Sequence, residues 1–174
     1  MQQLEKKLIA AVLILLVLVG IYFSGVINNR KAGNTNPAKM KLDDYIPYLI
    51  KETTGGIIDF GSDTLLSYKV NSDMLLLKLH ANESYSEKKT QRKINQSSIK
   101  ILKKFFIDRE DIKKVVLNWY LELPDSRGER KLRKVLALVM TKEEAVTVNW
   151  NSLTAYDLSN TVAGYWIHPI LKAD

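Results

Sequence analysis

The chain has 174 residues, a formal net charge of +7 and no cysteine. The lack of cysteine excludes disulfide bonds, thiolate metal sites, thiol catalysis and attachment of lipid to a cysteine. The basic balance fits an anionic lipid, a wall polymer or a nucleic acid as partner without selecting among them. After the first 41 residues, 133 remain, which is near the commonest size of a single domain.

A long apolar stretch near the amino terminus sets the predicted domain organisation. From Leu8 to Ile27 it contains no charged side chain, and a helix of this length spans about 30 Å, the thickness of a bilayer's hydrocarbon core. The stretch predicts a single-pass transmembrane helix that contacts the lipid bilayer, with an anchor at residues 1–27 and a flexible linker at residues 28–41. A cleaved signal peptide is the alternative. The short tail with Lys6 and Lys7 favours a cell-membrane protein whose domain is extracytoplasmic.

The first half of the domain reads as a helix, a hairpin and a long helix. Two aspartates precede an apolar segment and predict a short helix at residues 44–53. Residues 57–70 and 74–81 read as two antiparallel strands, because turn-forming residues separate them. Ser84 and Glu87 form a capping box that opens a helix to residue 107. The buried face of this helix is predicted from apolar and small residues spaced three and four apart, namely Ile94, Ser98, Ile101, Leu102 and Phe105.

The second half reads as two more strands and a tail. Residues 115–123 predict a strand whose apolar face consists of Val115, Leu117, Trp119, Leu121 and Leu123. Residues 132–141 predict a further strand, and its run at 135–140 is apolar on both faces, so we expect this strand to be central or covered. Thr141 and Glu144 form a second capping box, which opens a short helix that ends near Asn149. The tail is expected to contain one more short helix. The whole predicts an α+β domain at residues 42–174, with an antiparallel sheet of about four strands packed on the long helix.

The carboxyl-terminal segments Asn149-Trp150-Asn151 and Ala163-Gly164-Tyr165-Trp166-Ile167-His168-Pro169 carry a resemblance. They resemble the ending of small uncharacterised proteins, membrane-anchored or secreted, of Gram-positive bacteria. The resemblance covers residues 100–171. It implies a fold and a surface location and brings no activity with it.

No catalytic signature is present in the sequence. It lacks the nucleophile elbow, the zinc-protease motif, the phosphate-binding loop and the glycine fingerprint of dinucleotide-binding proteins. Its two histidines, His80 and His168, have no spacing that supports a metal site. We therefore predict no catalytic residue, no cofactor and no metal, and expect a protein that is not an enzyme.

Two surfaces are candidates for binding. The long helix carries seven basic residues and one acidic residue between positions 84 and 107, and six of the basic residues share the face opposite the apolar one: Lys89, Arg92, Lys93, Lys100, Lys103 and Lys104. This face could contact an anionic surface, or it could simply be solvated. Trp150, Tyr165 and Trp166 could form an aromatic platform for sugar or peptide, or they could be buried against the sheet and pin the tail.

These features predict a membrane-anchored, non-enzymatic, extracytoplasmic interaction or binding module. Anionic lipid, wall polymer or a protein is the expected partner of the basic face. Nucleic acid is disfavoured, because aromatic residues do not interleave with the basic ones. The alternatives are a subunit of a larger membrane assembly in secretion, transfer or the envelope, and an enzyme of unrecognised type. The sequence does not determine the oligomeric state.

Overall fold

The computed structural model describes residues 36–57 and 62–172. The chain divides into two compact units, Met1–Lys39 and Met40–Asp174. The described part of the first unit contains a 3-10 helix, Pro37–Lys39.

The second unit has four α-helices and five strands among its described residues. The helices are α1 (Leu42–Thr54), α2 (Glu87–Asp108), α3 (Lys142–Thr147) and α4 (Leu158–Thr161). The strands are β1 (Leu65–Asn71), β2 (Met74–His80), β3 (Lys114–Pro124), β4 (Arg130–Thr141) and β5 (Gly164–Ile167), and a 3-10 helix, Pro169–Leu171, follows β5. The α+β class predicted from the sequence agrees with this order of elements.

The sheet is mixed and has five strands in the order β1-β2-β3-β4-β5. The two predicted hairpins, β1–β2 and β3–β4, are antiparallel, but β2 and β3 are parallel. The prediction of a four-stranded antiparallel sheet is therefore wrong. A strand, a long helix and a neighbouring strand form a crossover, which returns the chain to the end where the first strand began and makes the two strands parallel.

The fifth strand was absent from the prediction because it is short. Gly164–Ile167 has four residues, all of them partly or fully exposed, so it lacks the apolar alternation of a buried strand. It pairs antiparallel with β4, with Tyr165 opposite Leu138 and Ile167 opposite Leu136. This pairing makes β4 an interior strand, as its apolar run suggested.

The core lies between one face of the sheet and the helices. Leu77, Leu117 and Leu138 are neighbours in register across β2, β3 and β4, and all three are fully buried. The predicted apolar face of α2 is buried against this inner face of the sheet. A polar contact inside the core fixes the position of α2, since the Trp119 indole donates a hydrogen bond of 2.8 Å to the Ser98 hydroxyl.

The ends of the helices follow local chemistry. α1 ends at Gly55, which has φ +84° and donates its N–H to the Lys51 carbonyl, a conformation that glycine adopts without strain. α2 begins after Ser86, whose hydroxyl accepts from the Lys89 N–H, so the capping box predicted at Ser84 is wrong by two residues. The capping box of Thr141 and Glu144 is confirmed.

The prediction of a single-pass transmembrane helix is corrected as well. No helix within residues 36–57 and 62–172 is long and apolar enough to cross a membrane. The stretch that carried the prediction, residues 8–27, lies outside the described residues, as does most of the predicted linker. The expected extracytoplasmic location depends on residues that flank this stretch, and it stays a prediction.

Candidate functional site

The long helix α2 separates its residues into two faces. One face contacts the sheet and is buried, with Ile94, Ile101 and Phe105 at most 2% exposed. At 100° per residue, the six predicted basic residues lie on the opposite side of the helix. Of these six, Lys89, Arg92, Lys93 and Lys100 are exposed, whereas Lys103 and Lys104 are half-buried.

Two of the six lie at the margins of this face and hold neighbouring segments. The Lys103 ammonium donates to the Asn151 side chain at 3.0 Å, which joins α2 to the loop before α4. The Lys104 ammonium is 3.2 Å from the Asp108 carboxylate and 5.3 Å from the centre of the Tyr48 ring. Burial lowers the pKa of Lys104, but the hydrogen bond and charge of Asp108 outweigh burial, so the pKa is raised. Both lysines therefore make contacts within the domain.

The remaining four form an exposed group that we call the basic ridge, consisting of Lys89, Arg92, Lys93 and Lys100. Its amino-terminal members contact exposed tyrosines. Lys89 hydrogen-bonds to the Tyr85 hydroxyl, with its ammonium 3.9 Å from the centre of that ring, and the Arg92 guanidinium is 5.7 Å from the Tyr156 ring. Lys89 and Arg92 are both exposed to solvent beside these rings.

A cleft lies on each side of the ridge. The first, of about 270 Å³, is bordered by Lys93, Lys100 and His80, and the hydroxyls of Thr64 and Ser97 add hydrogen-bonding groups. Its described lining contains no carboxylate. The ridge thus offers fixed positive charge beside a small polar cavity.

The second cleft, of about 490 Å³, is bordered by Arg92, Lys100 and Tyr156, together with apolar residues of α2 and the loop before α4. Tyr156 is 66% exposed. Lys100 and Gln96 border both clefts, so the carboxyl-terminal part of the ridge lies between two concave surfaces.

The aromatic residues predicted as a platform do not share one surface. Tyr165 lies on the inner face of the sheet and donates to the Asn95 side chain at 2.9 Å, while Trp166 is 44% exposed on the other face. Consecutive strand residues point to opposite sides, which separates these two. Trp150 is half-buried against the core. The alternative, with both Tyr165 and Trp166 buried, is also wrong for Trp166.

The histidines take separate local positions. His80 ends β2, where its N–H donates to the Thr64 carbonyl at 2.8 Å. The Nδ1 atom of His168 accepts from the Ile170 N–H at 3.2 Å and caps the last 3-10 helix. No group of three or more metal-ligating side chains occurs in the part of the chain that the structure describes. The expectation of no catalytic residue and no cofactor stays a prediction.

A buried arginine that the sequence analysis missed follows α2. The Arg109 guanidinium donates to both Asp111 carboxylate oxygens, at 2.9 and 2.6 Å, and to the Met40 carbonyl at 2.6 Å. The hydrogen bonds from Arg109 hold the pKa of Asp111 below its ordinary value. This contact joins the end of α2 to the segment before α1. An arginine directly after an apolar helix and between acidic residues was the available signal.

No protein-family model, curated protein or solved structure matches the chain. The resemblance of residues 100–171 to proteins of Gram-positive bacteria therefore stays a prediction. The function has to be inferred from the chain's own residues.

Proposed function

We propose that the chain is a non-enzymatic interaction module that binds an anionic surface or polymer through the basic ridge. The observation that carries the proposal is the uncompensated charge of the exposed face of α2. Glu87 lies in the first turn and Asp108 pairs with Lys104, and no acidic residue occurs between them. The ridge therefore presents four positive charges that no carboxylate of the same helix neutralises.

The fold does not require these charges. Exposed lysines typically change stability by no more than about 0.5 kcal/mol when they are replaced. Near an anionic bilayer, by contrast, each basic residue contributes about 1 kcal/mol of attraction. Because the ridge residues lie on one rigid helix, they would engage an anionic surface together. The ridge residues thus contribute little to folding stability and more to the attraction of an anionic surface, which favours a role in binding.

The two clefts narrow the chemistry of the ligand. Lys93 and Lys100 border the first cleft beside hydroxyl groups, and Arg92 and Lys100 border the second cleft beside Tyr156. A phosphate group can accept hydrogen bonds from both lysines and from the hydroxyls. A lipid headgroup and an anionic polymer both carry such groups, so this shared chemistry is what the ridge fits.

The clefts favour binding over catalysis. An acid–base enzyme needs titratable groups at different protonation states within reach of one substrate. The described lining of the first cleft provides His80 and two lysines, and that of the second provides Arg92 and Lys100, with no carboxylate in either. We therefore prefer an interaction module to the alternative of an enzyme of unrecognised type.

The test uses the purified full chain with two separate ligands. Binding is measured to vesicles that contain phosphatidylglycerol, to vesicles of neutral lipid and to soluble polyphosphate. The Lys93→Glu/Lys100→Glu variant should bind the anionic ligands roughly 30-fold or more weakly, since two contributions of about 1 kcal/mol are lost. Added salt should weaken wild-type binding. A preference for vesicles over polyphosphate distinguishes a lipid headgroup from a polymer.

The matched control changes the same number of charges elsewhere. Lys41 and Lys172 are exposed and lie outside both the long helix and the sheet, and the Lys41→Glu/Lys172→Glu variant has the same net charge as the ridge variant. It should retain binding within about 3-fold, a difference of under 1 kcal/mol. Equal losses in the two variants, or no binding of the wild type at low salt, would contradict the proposal.

A further inference from the structure

The sheet has a second face that lies outside the core. The side chains of Leu76, Val116 and Val139 are neighbours in register across β2, β3 and β4, and they alternate with the buried residues of the inner face. All three are half-buried, and none belongs to the core cluster or packs against it. They form an aliphatic row across the middle of what we call the outer face.

Positive charge surrounds this row. Lys69 continues the row on β1, opposite Leu76. The strand registers place the other lysines on either side of the row. Lys114 lies on one side, and Lys78 and Lys134 lie on the other. All four are exposed. The outer face is thus apolar at its centre and basic at its margins.

Opposite charge is scarce on the outer face. Among the strand residues that alternate onto it, Glu122 is the only acid, and its carboxylate lies 3.8 Å from the Arg130 guanidinium. Trp166 adds an exposed ring at the β5 edge, 5.4 Å from the Lys134 ammonium. An apolar centre with a polar rim is the usual arrangement of a protein-binding surface.

We propose that the outer face docks an acidic amphipathic helix of a partner protein. Lys114 lies beside the row on one side, and Asn118, level with Lys78, lies four residues further along β3, a separation of about 13 Å at 3.3 Å per strand residue. A helix is about 10–12 Å wide. Laid along the row, it would place its apolar stripe on Leu76, Val116 and Val139 and its carboxylates near lysines on both sides.

The charges and side-chain types exclude two other occupants. A second copy of the chain, packed with the same face, would bring lysines against lysines, and like charges in close contact are unfavourable. Single-stranded nucleic acid binds sheets by stacking bases on aromatic rings, but the centre of this row is aliphatic and Trp166 stands at its margin. An acidic partner helix satisfies both the apolar row and the lysines.

The test uses a designed peptide as the probe. It has 18 residues, with leucine on one helical face and glutamate on the other, and a scrambled peptide of identical composition serves as the control. Binding to the full chain is measured by fluorescence anisotropy, and the contact surface is mapped by methyl chemical shifts. We expect saturable binding, shifts at Leu76, Val116 and Val139, and at least tenfold weaker binding of the scrambled peptide.

Variants locate the contact independently of the basic ridge. The Val116→Lys and Lys78→Glu/Lys134→Glu variants should each bind the peptide at least tenfold more weakly, and the second keeps the test valid if the first does not fold. The Lys93→Glu/Lys100→Glu variant should bind within twofold of the wild type. No saturable binding, equal binding of the scrambled peptide, loss in the ridge variant, or displacement of the peptide by a single-stranded oligonucleotide would each overturn the proposal.

Discussion

The two faces of the sheet differ in how deeply their side chains are buried, even between adjacent residues of one strand. Leu117 on β3 is fully buried between Leu77 and Leu138, while its neighbour Val116 is half-buried outside the core. The backbone is the same on both sides, so the difference lies in what packs against each face. The inner face packs against the helices, whereas Leu76, Val116 and Val139 on the outer face lie outside the core that the described residues form. Along a strand, core residues and outer-face residues therefore alternate one by one.

The largest expected effect is the difference in stability loss between a truncation on the inner face and one on the outer face. Leu117→Ala removes a fully buried side chain and should reduce the free energy of unfolding by about 2–5 kcal/mol. Val116→Ala removes less buried area and should cost about 1 kcal/mol or less. Urea denaturation of both variants measures the difference. Equal losses would mean that the outer face is also part of the core.

The alternation that separates these faces was readable from the sequence of β3. Val115, Leu117, Trp119, Leu121 and Leu123 were predicted to share one face, and all five are buried. Local periodicity sufficed here, because the strand is long and only one of its faces packs in the core. The same holds for α2, whose buried and basic faces follow from its helical period.

The pairing of the strands was not readable in the same way. The direction of β3 relative to β2 depends on the crossover through α2, and β5 has only four residues. The lysines of the outer face come from two hairpins, and only the parallel pairing of β2 with β3, which no local pattern shows, brings the two hairpins together. The contacts of Lys103 with Asn151 and of Lys104 with the Tyr48 ring were missed for the same reason, since Asn151 and Tyr48 come from other segments.

An intermediate loss of folding stability is expected on β5, and it should differ between the two consecutive aromatic residues of this strand. Tyr165→Phe removes the hydroxyl that donates to Asn95, which is 4% exposed. The buried amide oxygen then loses a partner, at a cost of about 1–3 kcal/mol. Trp166→Ala should cost well under the roughly 3 kcal/mol typical of a buried aromatic residue, because its ring is 44% exposed. Thermal unfolding of both variants provides the measurement, and a larger loss for the Trp166 variant would reverse the assignment of faces.

The smallest expected effect is a change in how folding stability depends on pH, and it concerns the contact between Arg109 and Asp111. Hydrogen bonds from Arg109 hold the pKa of Asp111 below its ordinary value of 3.8. The folded chain therefore binds fewer protons at Asp111 than the unfolded chain in this range. The resulting stabilisation is fully present above the ordinary pKa and is lost as the pH falls through the lowered pKa of the folded state.

The Asp111 side chain is 50% exposed, so solvent screening limits this contribution to about 1 kcal/mol or less. Asp111→Asn should reduce stability slightly at neutral pH and make the decline below pH 4 shallower than in the wild type. Denaturation midpoints at pH 7, 4 and 2.5 measure the slope. Val116→Ala serves as the control, because a truncation on the outer face should shift all three midpoints equally. If Asp111→Asn also shifts them equally, the Arg109 contact does not depend on the charge of Asp111, and the link between α2 and the segment before α1 must come from the hydrogen bond to the Met40 carbonyl.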